Sequence, residues 1–261
     1  MQERRGAWIR LSAHRTMICD LMHAARQVPS IPVQRCMRLG AVVEARGGAV
    51  PRPSWPVIFA KAFAIVAADL PELRRSYLAL PWARLYEHPI SIASVAVEKP
   101  VGPPTTKGQE KAVFFAKLRR PNEHRLPALD RHLKRFAKST AANMGLARLG
   151  LWISLLPWPV RRFLWWYSLN AEGYFRSRQY GTYGISVYSA LGAESLHPLS
   201  PLTFVLNYGV FDERGDVQVR LIYDHRVLDG ATVARALTAL EAALNGPILE
   251  ELRSLAAAAR A

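Results

Sequence analysis

The chain has 261 residues, 35 Lys and Arg against 20 Asp and Glu, a net charge of +15, and half of its residues are hydrophobic. That apolar content excludes a disordered chain and allows one large domain or two small ones around a sizeable core. The charge points to an anionic partner (nucleic acid, an acidic membrane surface or a phosphorylated small molecule) or to a solvated basic surface.

Met1–Trp8 carries charge with no apolar run behind it, so no secretory signal is expected. Ser12 is a helix N-cap ahead of the stripe Met17, Ile18, Leu21, Met22 and Ala25. Val33–Val43 suggests a strand with poor alternation. Cys19 and Cys36 are too few for a disulfide framework or a conventional zinc site, and no metal is expected. Both cysteines fall in apolar patterns and are expected to be reduced and buried, which favours the cytoplasm. Ser54 starts a helix with Pro56 in its first turn, running through Phe59, Phe63 and Val66 towards Pro71. Ile90–Val97 alternates like a half-buried strand, and Ala112–Leu118 is a second apolar run. Between them Pro100–Gln109 has loop composition. Leu126–Lys138 is expected to be a basic helix bearing Arg131, Lys134, Arg135 and Lys138. Neither a zinc-finger spacing nor an RNP-like aromatic signature accompanies these charges, so nucleic acid is not expected as a partner.

Leu146–Leu169 holds Trp152, Trp158, Trp165 and Trp166, four of the seven tryptophans. Its longest charge-free run, Leu149–Val160, has 12 residues and is interrupted by Pro157 and Pro159. Crossing a bilayer takes roughly 20 apolar residues, so the segment does not span. A buried helical pair, a wall of an apolar pocket, or an interfacial contact with an anionic membrane remain open.

Further on, Leu202–Tyr208 with Val217–Tyr223 suggests a hairpin across residues 212–216. Val217, Val219, Leu221 and Tyr223 fall on one face. A helix follows from Val233, Leu237, Leu240 and Leu244, with Gly246 where a left-handed cap is expected. Ile248–Ala261 is a short helical tail. Between strand and helix lies Asp224-His225-Arg226-Val227-Leu228-Asp229-Gly230. A histidine in such a loop can take and return a proton near neutral pH.

That heptapeptide resembles the DHRVxDG signature of the dihydrolipoamide acyltransferases, the E2 cores of 2-oxo acid dehydrogenases, which share a fold with chloramphenicol acetyltransferase. Other segments agree in order. LSAHRTMICDLMHAARQVP resembles the family's opening helix, with Arg15 on its arginine; FAKAFAIVAADLPELR resembles its second helix, with Arg74 where asparagine is usual; Ile90–Val97 matches its vNIGVAV strand. GTYGISVYS resembles the GTFTISN strand, while the Trp-rich stretch, an insertion at about residues 144–170, has no counterpart. Neither a lipoyl-type domain nor a peripheral-subunit-binding segment is expected.

The resemblance implies a single α/β domain, a two-layer sandwich with a mixed sheet and helices packed mainly on one face. It implies acyl transfer from a coenzyme A or lipoyl thioester to a thiol, hydroxyl or amine, with no bound cofactor. His225 is then the general base, and Ser186 of a neighbouring subunit in a homotrimer donates to the oxyanion, Ser189 being the alternative donor. Asp229 and Gly230 support the loop; Asp229, before the helix, suits an N-cap and pairs in the family with the arginine matched by Arg15. Trp152, Trp158 and Trp165 are expected to wall a pocket for a long or bulky acyl group, with Arg161 and Arg162 at its mouth. A trimeric scaffold without catalysis is the alternative.

Overall fold

The computed structural model describes residues 6–101, 111–139 and 145–258. The loop expected over Pro100–Gln109 falls, beyond Val101, outside these residues. Helix α1 (Ala13–Ala25) begins where expected, and Ser12 Oγ accepts from the Arg15 amide at 3.1 Å. Strand β1 (Ser30–Arg38) stops short of Val43, and α2 (Gly40–Gly48) follows at once. The reason lies in its partner. Arg38 faces Asp216, the first residue of β8 (Asp216–Asp224), so residues 39–43 have no ladder to join. Their amides turn to helical acceptors instead, beginning with Val43 N–H to Leu39 O at 2.9 Å.

Helix α3 (Trp55–Asp69) starts after Ser54 with Pro56 in its first turn, as its sequence predicts. A small hairpin, β2 (Arg75–Leu78) and β3 (Arg84–Glu87), stands apart from the main sheet. Strands β4 (Ile92–Pro100) and β5 (Lys111–Arg119) pair antiparallel, and α4 covers Leu126–Lys138 as expected. The Trp-rich stretch forms α5 (Gly145–Ser154) and α6 (Trp158–Asn170), separated at Pro157; α7 (Gly173–Tyr180) follows. Among the described residues no helix is long and apolar enough to cross a membrane.

Strands β6 (Tyr183–Ile185) and β7 (Phe204–Tyr208) complete a six-stranded sheet of order β1-β8-β7-β6-β4-β5. Strand β6 runs parallel to both neighbours, and the other pairings are antiparallel, so the sheet is mixed. Gly181 leads into β6 at φ +90°, where an added Cβ would meet Ile92 O at 2.9 Å. Only glycine fits that turn.

Alternation decides the two faces of the sheet. Val217, Val219, Leu221 and Tyr223 of β8 join Phe204, Leu206 and Tyr208 of β7 in the main core. Helix α3 closes that core, with Phe59 stacked on Tyr208 at 4.2 Å and Phe63 against Tyr183 at 4.5 Å. Each such side chain contributes about 1.5–3 kcal/mol by leaving water. Helix α8 (Gly230–Ala243) lies beside α3, and its Val233, Leu237 and Leu240 are buried. Gly246 is not the left-handed cap expected of it: its φ is −104°, inside a π turn, Leu244–Ile248, that leads into α9 (Leu249–Ala258). Leu244 and Ile248 are both buried, so the chain stays on the core instead of reversing.

The cysteines depart from expectation as well, for both are exposed in the chain. Cys36 takes the opposite phase of β1 from the buried Met37, and on α1 the buried position next to Cys19 belongs to Asp20.

Candidate active site

His225 sits immediately beyond the end of β8. Its amide donates to Pro29 O at 3.1 Å, tying the loop to the residue before β1. Asp224, buried, accepts from the Arg226 amide at 3.0 Å and from the Arg226 guanidinium at 2.7 and 2.9 Å. Arg226 in turn lies 4.2 Å over the ring of Tyr77. Val227 and Leu228 are buried in the core, anchoring the far side of the turn. The imidazole itself is 44 % exposed and stands 5.6 Å from the Tyr223 ring. A rigid backbone therefore presents an accessible ring, the arrangement a proton-transfer group needs.

Sequence patterns did not single out Asp224 or Arg176 as functional. Arg176 of α7 is buried and donates to Tyr77 O at 2.7 Å and Pro201 O at 2.9 Å, bracing the neighbourhood of the loop. Burial pushes its guanidinium down to about 10, with Asp224 pulling the other way. Its sequence signal was no stronger than that of Arg178 in the same short helix.

Asp229 occupies the N-cap position of α8 but makes no side-chain cap hydrogen bond. Its carboxylate is 88 % exposed and 4.0 Å from His225 Nδ1. No ion pair joins it to Arg15 among the described residues; on α1 the fully buried acid is Asp20, held by Arg161 and Arg162 of α6 at 3.0 and 3.2 Å. These two arginines therefore latch α6 to α1 rather than standing free at a pocket mouth. Gly230 opens α8, and Tyr223 Oη lies 3.5 Å from where a Cβ would sit, an ordinary contact.

Ser186 follows β6 on the face of the sheet opposite the core. Its carbonyl accepts from Asn207 Nδ2 at 2.8 Å and its amide donates to Leu206 O at 3.2 Å. It lines a cavity of about 450 Å³ together with Ile18 and Met22 of α1, Ser94 and Ala96 of β4, and Val205 of β7. Ser189 lies beyond it, at the start of a 3-10 turn.

Within one chain Ser186 and His225 do not meet. Ile185 lies beside Leu206, which faces Leu221; from that row Ser186 extends one way and His225 the other. Five residues of strand rise separate them, about 15 Å, before the two intervening strand spacings are added.

The Trp-rich helices wall a second and larger cavity, about 1240 Å³. Trp152 and Trp165 line it. Trp158 does not: as the first residue of α6, just after Pro157, it points outward and is 62 % exposed. Among the described residues no three His, Cys, Asp or Glu side chains converge as metal ligands.

The mixed sheet with helices packed on its core face is a fold shared with chloramphenicol acetyltransferase, with which this chain aligns at TM-score 0.50 and 13 % identity over 86 % of its length and 94 % of that chain. Within that architecture the fold is that of the dihydrolipoamide acyltransferase E2 catalytic domain. The dihydrolipoamide acetyltransferase of Azotobacter vinelandii, whose catalytic mechanism was probed at a serine, a histidine and an asparagine, aligns at TM-score 0.67 and 17 % identity, over 96 % of this chain and 95 % of that one. The catalytic core of the 2-oxoacid dehydrogenase multienzyme complex of Thermoplasma acidophilum aligns at TM-score 0.65 and 15 % identity, over 93 % of this chain and 99 % of that one. No family model and no curated protein matches the chain.

Proposed function

We propose that the chain is an acyltransferase moving an acyl group directly from a coenzyme A or lipoyl thioester to a thiol, hydroxyl or amine acceptor. The observation that carries this reading is the His225 loop, fixed by Asp224, Arg226 and Pro29 with its imidazole left accessible. His225 removes the proton of the acceptor, whose sulfur, oxygen or nitrogen then attacks the thioester carbonyl. The oxyanion so formed is met by the Ser186 hydroxyl of a neighbouring copy, a reading supported by the separation of the two residues within one chain. Collapse of the tetrahedral intermediate breaks the carbon–sulfur bond, and the departing thiolate takes back the proton from His225. The working unit is a homotrimer, with each site shared by two copies.

The test is turnover of acyl-CoA thioesters by His225→Ala beside the wild type. A loss on the order of 10²–10⁴-fold in kcat, with the assembly unchanged in light scattering, is the expected result. Wild-type turnover would remove His225 from the chemistry. Trimers that turn over no thioester would make the chain a scaffold.

The outer surface of α5 and α6 supports one further reading, contact with an anionic membrane. Leu155, Trp158 and Phe163 are all exposed there. Co-sedimentation with anionic but not neutral liposomes is expected, and loss of it in Trp158→Ser.

A further inference from the structure

The cavity walled by α5 and α6 is larger than an acetyl group requires. Its volume of about 1240 Å³ exceeds the roughly 300–1,000 Å³ usual for small-molecule sites. Met17, Val113, Phe115, Ile153, Leu156 and Leu164 make its lining apolar. The polar groups along it are mostly engaged within the protein. Lys117 Nζ donates to Arg178 O at 2.7 Å, Ser168 Oγ and Tyr180 Oη share a hydrogen bond of 2.6 Å, and the Glu172 carboxylate accepts from the Tyr174 and Phe175 amides. Of the lining, Trp165 Nε1 and Gln179 Oε1 are buried without a hydrogen-bond partner among the described residues.

The chamber also adjoins the cavity at Ser186. Leu21, Val113, Phe115, Gln179 and Tyr180 line both. At this junction Gln179 Oε1 is buried with no hydrogen-bond partner among the described residues.

We infer that this chamber is an acyl-chain site: a long unbranched hydrocarbon chain fills it, and its thioester end lies at Ser186. The position of that end rests on the acyl-transfer reading of the site. The affinity of the chamber for a chain does not.

Calorimetric titration of the full chain separates the two. The probes are saturated acyl-CoAs from acetyl to palmitoyl, coenzyme A alone, and the matching free fatty acids, all below their micelle concentrations. Each methylene leaving water should tighten binding by about fourfold until the chamber is full. Fatty acids should show the same dependence on length as the acyl-CoAs, since the chain and not the head is what the chamber takes. Ala171→Trp places an indole at the chamber wall. It should flatten the series while circular dichroism and melting temperature stay at wild-type values. Should that variant not fold, the wild-type series still decides. A constant dissociation constant from acetyl to palmitoyl overturns the inference, as does a length dependence untouched in folded Ala171→Trp. Length-dependent binding without turnover keeps this inference and removes the acyl-transfer reading; turnover of acetyl-CoA with a flat series does the reverse.

Discussion

Three residues near the site differ in what surrounds them, and their variants should differ accordingly. His225 is exposed and fixed through its backbone, so replacing its ring removes chemistry with little change in packing. Asp229 was expected from its place before α8 to act as a cap, a role whose loss costs roughly 0.5–2 kcal/mol. Its side chain makes no such bond and is solvated, so Asp229→Ala should shift stability by no more than about 0.5 kcal/mol in urea unfolding. A larger loss would show that a neighbouring copy holds it. His88 is the opposite case. It is buried against Ser76 Oγ at 2.9 Å, and burial, with Arg176 adding to it, pushes the imidazole down to about 4. The unfolded chain takes up this proton near pH 6.5 and the folded chain only near pH 4, so stability falls as pH drops through that window. The loss from this group is roughly 3 kcal/mol, read as a lower urea midpoint at pH 4 than at pH 7. His88→Gln should flatten that part of the profile.

At the scale of elements, legibility followed periodicity. Helix α4 was plain in the sequence because its apolar residues keep one phase, α3 because Ser54 and Pro56 open a long apolar run, and the histidine loop because its motif lies between β8 and α8. Strand β1 was overextended because Leu39–Val43 is apolar enough to continue it; what ends the strand is the end of its partner, which no local pattern encodes. The Trp-rich stretch was readable as too short to cross a membrane, yet not which tryptophans turn inward. Nor could the pairing of Asp20 with Arg161 and Arg162 be seen, since it joins residues far apart in sequence whose charges look solvated. That pairing has a measurable consequence. Asp20→Ala leaves two arginines without their buried partner, at about 3 kcal/mol. Hydrogen exchange should rise in α6 and remain unchanged in β8. Equal protection in α6 would mean that apolar packing alone holds it.

For the whole molecule, the decisive distance is the one separating Ser186 from His225. A site that needs both must draw them from two copies, and this can be tested without any structure of the assembly. His225→Ala and Ser186→Ala, each nearly inactive alone, should regain activity when dissociated, mixed in equal amounts and reassembled. In randomly mixed trimers about a quarter of the interfaces bring an intact histidine to an intact serine, so recovery should approach about a quarter of wild type. No recovery in verified mixed assemblies would place both residues in separate roles. This arrangement of strands was not visible in alternation patterns, which assign faces but not neighbours.

The pairing of β1 with β8 bears also on how the chain reaches this state. The two strands are separated by about 180 residues, and the Pro29–His225 hydrogen bond closes the same gap. At synthesis rates of roughly 5–20 residues per second, β1 waits on the order of 10–40 seconds before its partner exists. Such distant pairing is entropically slow to nucleate. The histidine loop thus acquires its geometry only after β8 has been made. A product that ends before β8, however much of α3 and its surroundings it contains, has an unpaired first strand and no assembled proton-transfer loop.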